Sequence, residues 1–417
     1  MEKAKLEEFN PWWISGRVDE ELALPYRRQV FFEVEKSMNK RFILALVGLR
    51  RTGKTTILYQ LIQKLLEEKV SAESIVFFSF DETSIKLNEV IRAYQEIHSK
   101  ELREERIYFF LDEIQKCGNW ENELKKYYDL YPRIKFVVSG SESLFIKKRS
   151  KETLAGRLFE FRVEPFRFKE YLEIGGVGRS DFKYETKINP LFINFIKKGG
   201  FPEVFLLESE KEFKEYIRSL VVDKIVFKDI PQLFKIDEPQ FLAVLLELIC
   251  SNPGMYVDYQ SLSKQFGKDR RVIKNYIFYL QESFLIRLLG NYRKSSFSAL
   301  RKIKKAYPAD NALISLYKAG IDESFFGKMV ENALINQINA DTFWKNRGEI
   351  DAVKDNFPIE VKYQEKINSE DFAVLREFMK KFNISKGLMI TKKEEGQKIF
   401  AEGKVKMVPA WKYLLSL

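Results

Sequence analysis

The sequence predicts an α/β protein that begins with a parallel sheet carrying helices on both faces, and two observations predict it. Apolar runs of strand length alternate with segments of helical periodicity across residues 41–165. Strands that are apolar along their whole length are typical of parallel sheets buried on both faces. The chain has 417 residues, of which 45% are hydrophobic and 31% charged. We therefore expect two to four globular domains, of which this sheet is the first.

The composition argues against several kinds of site. Two cysteines, Cys117 and Cys250, and one histidine, His98, are too few for a disulfide framework, a four-cysteine zinc site or a histidine-based metal site. No run of 18 apolar residues occurs, and the charged N-terminus lacks the apolar segment of a signal peptide. We therefore expect a cytoplasmic protein with no membrane contact.

A glycine loop separates the first predicted strand from the first long helix. The run from Gly48 to Thr55 reads G-x-x-x-x-G-K-T, with an apolar stretch before it and helical periodicity after it. The backbone N–H groups of such a loop turn inward around phosphate oxygens, and the helix start adds partial positive charge. The loop therefore predicts an ATP site, with the lysine on the terminal phosphates and the threonine hydroxyl on Mg²⁺. The expected nucleotide-binding residues here are Gly48, Arg51, Thr52, Gly53, Lys54, Thr55 and Thr56.

Two further strands of this sheet end in polar residues. One ends in Asp112, which is expected to hold Mg²⁺, and Glu113, which is expected to orient and deprotonate the attacking water. The next ends in Ser139-Gly140-Ser141, where Ser139 or Ser141 is a candidate to sense the terminal phosphate; a plain turn is the alternative. Together these strand ends predict a P-loop ATPase site in which Lys54 and Glu113 are catalytic.

Basic residues outside the loop are also candidates for contact with the nucleotide. Arg157 is the preferred one to supply charge to the transition state, within the chain or from a neighbouring subunit. Before the loop, Arg27 or Arg28 is a candidate to frame the nucleotide, whereas Trp12 and Trp13 are expected to pack onto the sheet. Weaker candidates beside Arg157 are Lys147, Lys148 and Arg149.

Six short motifs occur in order along the chain and resemble those of a known family. They are NPWW at 10–13, GLRRTGKTT at 48–56, LDEIQ at 111–115, SGS at 139–141, AGR at 155–157 and GGFPEV at 199–204. The sequence resembles the prokaryotic, largely archaeal, AAA-type ATPases of the STAND-like lineage that carry a nuclease-like C-terminal domain. The resemblance implies an ATPase domain over 1–165 and a helical lid over 166–236, with Pro202 packed on the adenine. From the residues alone, Gly200-Phe201-Pro202 is only a turn between helices.

Residues 237–299 are predicted to form a winged helix, with three helices followed by an apolar strand. From Lys264 to Lys305, twelve Lys and Arg residues face two acids, so this window carries +10 of the chain's net charge of +11. A local basic stripe of this kind suggests DNA as a partner, with one helix in the major groove. In the STAND-like lineage this module serves as a lever for the nucleotide state, and that alternative stays open.

Residues 300–417 are predicted to form a restriction-endonuclease-like α/β domain. A helix presents Glu331, a strand presents Asp351, and a hairpin leads to a strand with Glu360 and Lys362 on one face. This order resembles the PD-(D/E)XK nuclease core. The resemblance implies that the three carboxylates bind Mg²⁺ and that Lys362 is catalytic. A binding surface without cleavage is the alternative.

The sequence therefore predicts an ATP-binding and ATP-hydrolysing protein that couples its nucleotide state to DNA binding. Mg²⁺-dependent cleavage of DNA by the last domain is a further prospect. The alternative is a slow ATP switch whose C-terminal domain is an inactive docking or DNA-binding module. The expected ligands are ATP or ADP, Mg²⁺ and DNA. If Arg157 acts on the nucleotide of another subunit, the protein must be a homo-oligomer.

Overall fold

Two β-sheets organise the chain in the computed structural model, which describes residues 3–81, 85–140, 153–293 and 303–417. The chain divides into two compact units, Met1–Glu164 and Pro165–Leu417. Four of the basic or polar residues named above fall outside the described residues, namely Ser141, Lys147, Lys148 and Arg149. The proposed division into four domains is finer than these two units and stays a prediction.

The first unit contains a five-stranded sheet and helices around it. Its strands are β1 (Ile43–Val47), β2 (Ile75–Ser79), β3 (Tyr108–Asp112), β4 (Lys135–Gly140) and β5 (Leu158–Arg162). Its α-helices are α1 (Lys3–Glu8), α2 (Trp12–Ser15), α3 (Gln29–Glu35), α4 (Lys54–Glu67), α5 (Leu87–His98) and α6 (Trp120–Leu130).

All neighbouring strands of this sheet are parallel, in the order β2-β3-β4-β1-β5. Strands β1, β3 and β4 are buried along their whole length, and the central residues of each are apolar, as in a sheet covered on both faces. The predicted α/β fold with a parallel sheet is confirmed. Strand β4 lies between β1 and β3, so the residues that follow these three strands meet at one edge of the sheet.

The N-terminal segment covers the outer edge of β2. The side chain of Asn10 accepts from the backbone N–H of Phe77 at 2.6 Å and donates to its carbonyl at 2.9 Å, as a paired strand residue would. The indole N–H groups of Trp12 and Trp13 both donate to the carbonyl of Ile75, at 3.0 and 2.9 Å. The expectation that both tryptophans pack onto the sheet is confirmed, and the edge strand gains partners for its backbone.

The second unit contains a nine-stranded sheet and eleven α-helices within the described residues. Its strands are β6 (Met255–Val257), β7 (Ile286–Asn291), β8 (Lys304–Pro308), β9 (Thr342–Lys345), β10 (Glu349–Lys354), β11 (Phe357–Lys362), β12 (Lys386–Thr391), β13 (Gly396–Phe400) and β14 (Gly403–Pro409). Its helices are α7 (Phe168–Ile174), α8 (Glu185–Lys198), α9 (Glu210–Tyr216), α10 (Ile230–Phe234), α11 (Pro239–Ser251), α12 (Tyr259–Phe266), α13 (Arg270–Glu282), α14 (Asn311–Tyr317), α15 (Glu323–Gln337), α16 (Ala373–Phe382) and α17 (Ala410–Leu415).

The second sheet is mixed, in the order β13-β14-β12-β11-β10-β9-β7-β8-β6. Strand β8 pairs antiparallel with both β6 and β7, and β7 pairs in parallel with β9. Strand β8 belongs to the segment 300–417, yet it pairs only with strands of the segment 237–299. The two predicted segments therefore share one continuous sheet.

The segment between α8 and α11, which belongs to the expected helical lid, is helical but irregular. It consists of α9, followed by two π-helical turns, Ile217–Val222 and Ile225–Asp229, and then α10.

Within the described ranges, no helix has the length and apolar character needed to cross a bilayer.

Candidate nucleotide site and carboxylate cluster

The carboxyl edge of the first sheet gathers most of the residues predicted to bind nucleotide. Leu46 of β1 is paired with Ser139 of β4, so the loop that leaves β1 starts beside this serine. Leu111 of β3 is paired with Val138 of β4, so Asp112, the next residue of β3, lies beside the end of β4 on the side opposite β1. The sheet order therefore assembles the loop, the serine and the aspartate at one edge.

The loop needs glycine at its first position because of a close backbone approach. A Cβ built on Gly48 would collide with the carbonyl oxygen of Val163, which follows β5. Gly53 has φ +88°, a left-handed conformation that favours glycine. Since Gly53 is the N-cap of α4 and has no side chain, the backbone N–H groups of the first helical turn point towards an incoming anion.

Lys54 and Thr52 are held against the loop itself. The ammonium of Lys54 donates to the carbonyls of Gly48 and Leu49 at 3.1 and 2.7 Å, and the Thr52 hydroxyl donates to Leu49 at 2.9 Å. Lys54 is buried although it is charged. These contacts place its ammonium inside the loop, where phosphate oxygens are expected.

Asp112 accepts two hydroxyl hydrogen bonds from residues of neighbouring segments. The Thr55 hydroxyl donates to its Oδ2 at 3.0 Å, and the Ser139 hydroxyl donates to its Oδ1. Burial, and then the charge of Glu113, raise the pKa of Asp112 from 3.8 to about 6. A buried carboxylate next to a threonine hydroxyl is a donor set that suits Mg²⁺, so Thr55 and Asp112 fit the role predicted for them.

Glu113 is a non-glycine residue in the left-handed region, with φ +51°. Its backbone N–H donates to the Ser139 hydroxyl at 3.2 Å, and its Oε2 accepts from the Gln115 side-chain amide at 2.5 Å. Such backbone conformations cost free energy and persist where surrounding contacts enforce them, often at functional sites. Gln115 holds the carboxylate of Glu113, a role that the sequence did not assign although Gln115 lies in the LDEIQ motif.

Arg28 donates a hydrogen bond to the backbone of the loop, whereas Arg27 pairs with a residue of α4. The guanidinium of Arg28, which is 8% exposed, donates to the carbonyl of Thr52 at 3.0 Å. Arg27 instead pairs with Glu67 at 3.4 Å. Of the two candidates for framing the nucleotide, the structure places Arg28 at the loop. Arg51 is exposed on the loop with φ +63°, and Thr56 is half-buried in the first turn of α4.

Arg157 is not brought into this cluster. It precedes β5, where the backbone N–H of Ile43 donates to its carbonyl, so it lies at the amino edge of the sheet. Its guanidinium forms a two-pronged pair with Asp129, at 2.9 and 3.1 Å. The loop lies at the opposite end of β1, so this arrangement does not bring Arg157 to the phosphates of its own chain, and its contact with nucleotide stays a prediction. The role of Arg157 in supplying charge to the nucleotide site of a neighbouring subunit also stays a prediction.

Pro202 lies in the second unit, at the first position of the short 3₁₀ helix Pro202–Leu206. The glycines before it have a packing role there. A Cβ on Gly200 would collide with the carbonyl of Phe166, and one on Gly199 would collide with the carboxylate of Asp310. The backbone N–H of Gly200 donates to that carboxylate at 3.0 Å. The adenine contact of Pro202 stays a prediction.

The four residues predicted from the nuclease resemblance come close together in the second unit. Glu331 lies on α15, Asp351 on β10, and Glu360 and Lys362 on β11. Lys362 pairs with Glu360 at 2.8 Å, and the backbone N–H of Val361 donates to Asp351 at 2.8 Å. We call Glu331, Glu349, Asp351 and Glu360 the carboxylate cluster.

Burial dominates the electrostatics of the carboxylate cluster. Burial, with the charges of Glu331 and Glu360, raises the pKa of Asp351 well above its ordinary value. Burial also raises the pKa of Glu360 to about 7, although Lys362 opposes the shift. Burial alone would lower the pKa of Lys362, but the Glu360 carboxylate raises it overall. Acids that share one buried site cannot all ionise without a cation.

A set of metal ligands is not formed in the part of the chain that the structure describes. There, no group of three or more His, Cys, Asp or Glu side chains is arranged to hold a metal ion. Glu331, Asp351 and Glu360 are therefore neighbours without being such a set, and metal binding by them stays a prediction.

The basic residues predicted to meet DNA are partly described. Arg270, Arg271 and Lys274 are all exposed on α13, whose N-cap is Asp269. Lys305, at the end of the same basic window, is buried instead. The exposed face of α13 therefore carries positive charge, whereas Lys305 is not part of that surface.

Comparison with known proteins is consistent with the first site. Residues 40–172 match the family described as AAA domain, and residues 189–324 match a domain of unknown function. An uncharacterized protein of Haemophilus influenzae is 24% identical over 76% of this chain and 79% of its own. Two uncharacterized proteins of Methanocaldococcus jannaschii are 28% and 24% identical, over 84% and 92% of this chain and 76% and 90% of their own.

The AAA match covers the phosphate loop, the acidic strand end and Ser139. It indicates that this part of the chain is a P-loop, AAA-like ATPase region, which binds nucleotide and usually does so with Mg²⁺. The predicted ATPase region is thereby supported by sequence comparison as well as by the parallel sheet.

Proposed function

We propose that the chain hydrolyses ATP at the carboxyl edge of its first sheet. The observation that carries this proposal is the continuous set of contacts from Thr55 through Asp112 and Ser139 to Glu113, beside the loop that holds Lys54. These contacts join the residue types that bind metal, phosphate and water in P-loop ATPases.

Each residue then has a separate task. The N–H groups at the start of α4 and the ammonium of Lys54 hold the phosphates. Thr55 and Asp112 would hold a magnesium ion, and such an ion would neutralise charge at the phosphates. Glu113, fixed by Gln115, orients the attacking water and takes its proton. Ser139 bridges Asp112 and the backbone of Glu113, so it connects the metal side of the site with the water side.

The test separates binding from hydrolysis. Glu113→Gln is expected to bind a fluorescent ATP analogue normally while the hydrolysis rate falls about 100-fold or more. Lys54→Ala is expected to lose binding. Glu160→Gln makes the same chemical change at an exposed position of β5 and should behave as wild type. Equal hydrolysis by Glu113→Gln and Glu160→Gln would contradict the assignment of Glu113.

We further propose that residues 237–299, together with β8 of the following segment, form a winged helix that contacts DNA. The chain order α11-β6-α12-α13-β7-β8, with three antiparallel strands, supports this fold. The exposed Arg270, Arg271 and Lys274 on α13 support a phosphate or groove contact by that helix. The rival function is that this module responds to the nucleotide state as a lever and does not contact DNA.

Fluorescence anisotropy with a labelled duplex tests the DNA contact. Replacement of Arg270, Arg271 and Lys274 by Ala is expected to weaken binding and to reduce the slope of log affinity against log salt by about 3. The control replaces three exposed lysines elsewhere in the second unit, Lys211, Lys380 and Lys386. If both triple variants bind alike, α13 is not the contact, and the lever function is favoured.

For residues 300–417 we propose a PD-(D/E)XK-like core. The closeness of Asp351, Glu360 and Lys362 around the β10–β11 hairpin supports it. Plasmid incubated with Mg²⁺ or Mn²⁺ tests cleavage, with wild type beside Lys362→Ala. Cleavage by wild type that Lys362→Ala loses would favour a nuclease, and intact plasmid in both would favour the inactive, docking alternative.

A further inference from the structure

One buried cation has no task in the functions proposed above. Lys305, on β8, is 4% exposed, and its ammonium lies 2.7 Å from Glu349, 3.2 Å from Glu331 and 3.9 Å from Asp351. These three carboxylates come from one helix and one strand and converge on a single nitrogen.

Two aromatic rings also lie near the ammonium of Lys305. Its ammonium lies 5.3 Å from the ring centroid of Tyr307 and 5.8 Å from that of Phe343, within the range of cation–π attraction. The Tyr307 hydroxyl donates to Glu331 at 2.6 Å, and the Tyr256 hydroxyl donates to Glu349. The carboxylates are thus held in place around the ammonium by further hydrogen bonds.

A second observation marks the same place as a cation site. Glu360 is 4% exposed, and its Oε2 has no hydrogen-bond partner among the described residues. A buried carboxylate oxygen without a partner is costly, and a cation is the species that satisfies it best. The carboxylate oxygens of the cluster can therefore accept more hydrogen bonds than the ammonium groups of Lys305 and Lys362 donate to them.

We propose that the ammonium of Lys305 occupies the position of the divalent cation in the carboxylate cluster and excludes it. The inference rests on the PD-(D/E)XK-like core proposed above and names what regulates it: a divalent metal binds only when Lys305 withdraws. A buried ammonium and a divalent ion cannot share the carboxylates of Glu331 and Asp351, because their charges repel at short distance. While β8 keeps its present position, the domain is a docking module that does not cleave.

The experiment measures Mn²⁺ binding without nucleotide, by the electron paramagnetic resonance signal of the free ion. Lys305→Met removes the charge at nearly constant size and is expected to bind one Mn²⁺ at least tenfold more tightly than wild type. Lys304→Met makes the same charge change at the preceding residue of β8 and should bind as wild type. Lys305→Met combined with Asp351→Asn should lose the added binding.

A thermal melt covers the case in which Lys305→Met folds poorly, since its carboxylates are left without the ammonium. Mn²⁺ should then raise the midpoint of Lys305→Met by more than that of wild type, because a ligand that binds only the folded state stabilises it. Lys305→Ala provides the same test with more room for a hydrated ion.

Two results would overturn the inference: equal Mn²⁺ binding by wild type and Lys305→Met, or tight binding that survives Asp351→Asn. The rate of ATP hydrolysis is measured on the same samples and should not change with Lys305. A failure of ATP hydrolysis would therefore refute the function proposed for the first unit without touching this inference.

Discussion

At the scale of single residues, Asp112 carries the most informative electrostatics of the nucleotide site. Its carboxylate is buried between two hydroxyl donors, and its pKa is raised from 3.8 to about 6. Between these two pH values the folded protein holds more protons than the unfolded chain. Its stability therefore falls as pH rises from about 4 to about 6, and the full cost of the buried charge persists at higher pH.

The prediction concerns Asp112→Asn in protein free of metal and nucleotide. Asparagine does not ionise, so this variant should gain stability relative to wild type as pH rises from 4.5 to 7.5, by on the order of 2 kcal/mol. Thermal unfolding in the presence of a chelator measures the difference. Asp129→Asn is the control, because its pairing with Arg157 lowers the pKa of Asp129 and the difference should stay flat in this range. A flat difference for Asp112→Asn would contradict the burial effect.

What the sequence could not predict are the individual tertiary contacts that these residues make. The phosphate loop and Asp112-Glu113 were predictable because their signals are local: a fixed spacing, or an apolar strand ending in acids. The pairing of Arg28 with the carbonyl of Thr52 and the burial of Lys305 among carboxylates have no such signal. The position of Arg157 has no local signal either, because the pairing of β5 with β1 places it at the edge of the sheet opposite the loop.

At the scale of elements, the N-terminal segment acts as a cover for β2. Asn10 pairs with the backbone of Phe77 through both side-chain polar atoms. Asn10→Ala would leave a buried N–H and carbonyl of the edge strand without these partners, so we expect a loss of about 1–3 kcal/mol in stability. Denaturant unfolding measures it. Asn39→Ala, at an exposed position of the same unit, should change stability by less than about 0.5 kcal/mol.

The glycine pair before Pro202 offers a second prediction at this scale. Gly200→Ala would push a methyl group into the carbonyl of Phe166, and we expect a loss of about 1–3 kcal/mol in the stability of the second unit. Gly118→Ala is the control, since a Cβ there meets open space and its φ is not positive. If both variants unfold at the same temperature, the close approach at Gly200 does not constrain the fold.

Helix and strand positions were largely predictable, whereas their assembly was not. Period and apolar runs located the strands of the first sheet and the helices α11, α12 and α13. Segments 237–299 and 300–417 share one sheet because β7 pairs with β9. These two strands lie far apart in the sequence. Strand pairing over such distances leaves no periodic pattern in either segment, so the domain boundary could not be read from composition.

At the scale of the whole molecule, the proposed coupling between nucleotide and DNA is a thermodynamic statement that does not require a known path between the sites. If ATP changes the affinity for DNA by some factor, DNA must change the affinity for ATP by the same factor. Glu113→Gln allows both to be measured at equilibrium, because ATP would stay bound without being consumed.

We expect Glu113→Gln to bind a labelled duplex with affinities that differ about 5-fold or more with and without ATP. The fluorescent ATP analogue should show the reciprocal change when saturating duplex is added. The triple Ala variant of Arg270, Arg271 and Lys274, made in the same background, should lose the reciprocal effect while it keeps ATP binding. Identical DNA affinities with and without ATP would contradict the proposed coupling. The coupling free energy would then be zero, and the ATPase and the DNA-binding module would act independently although they belong to one chain.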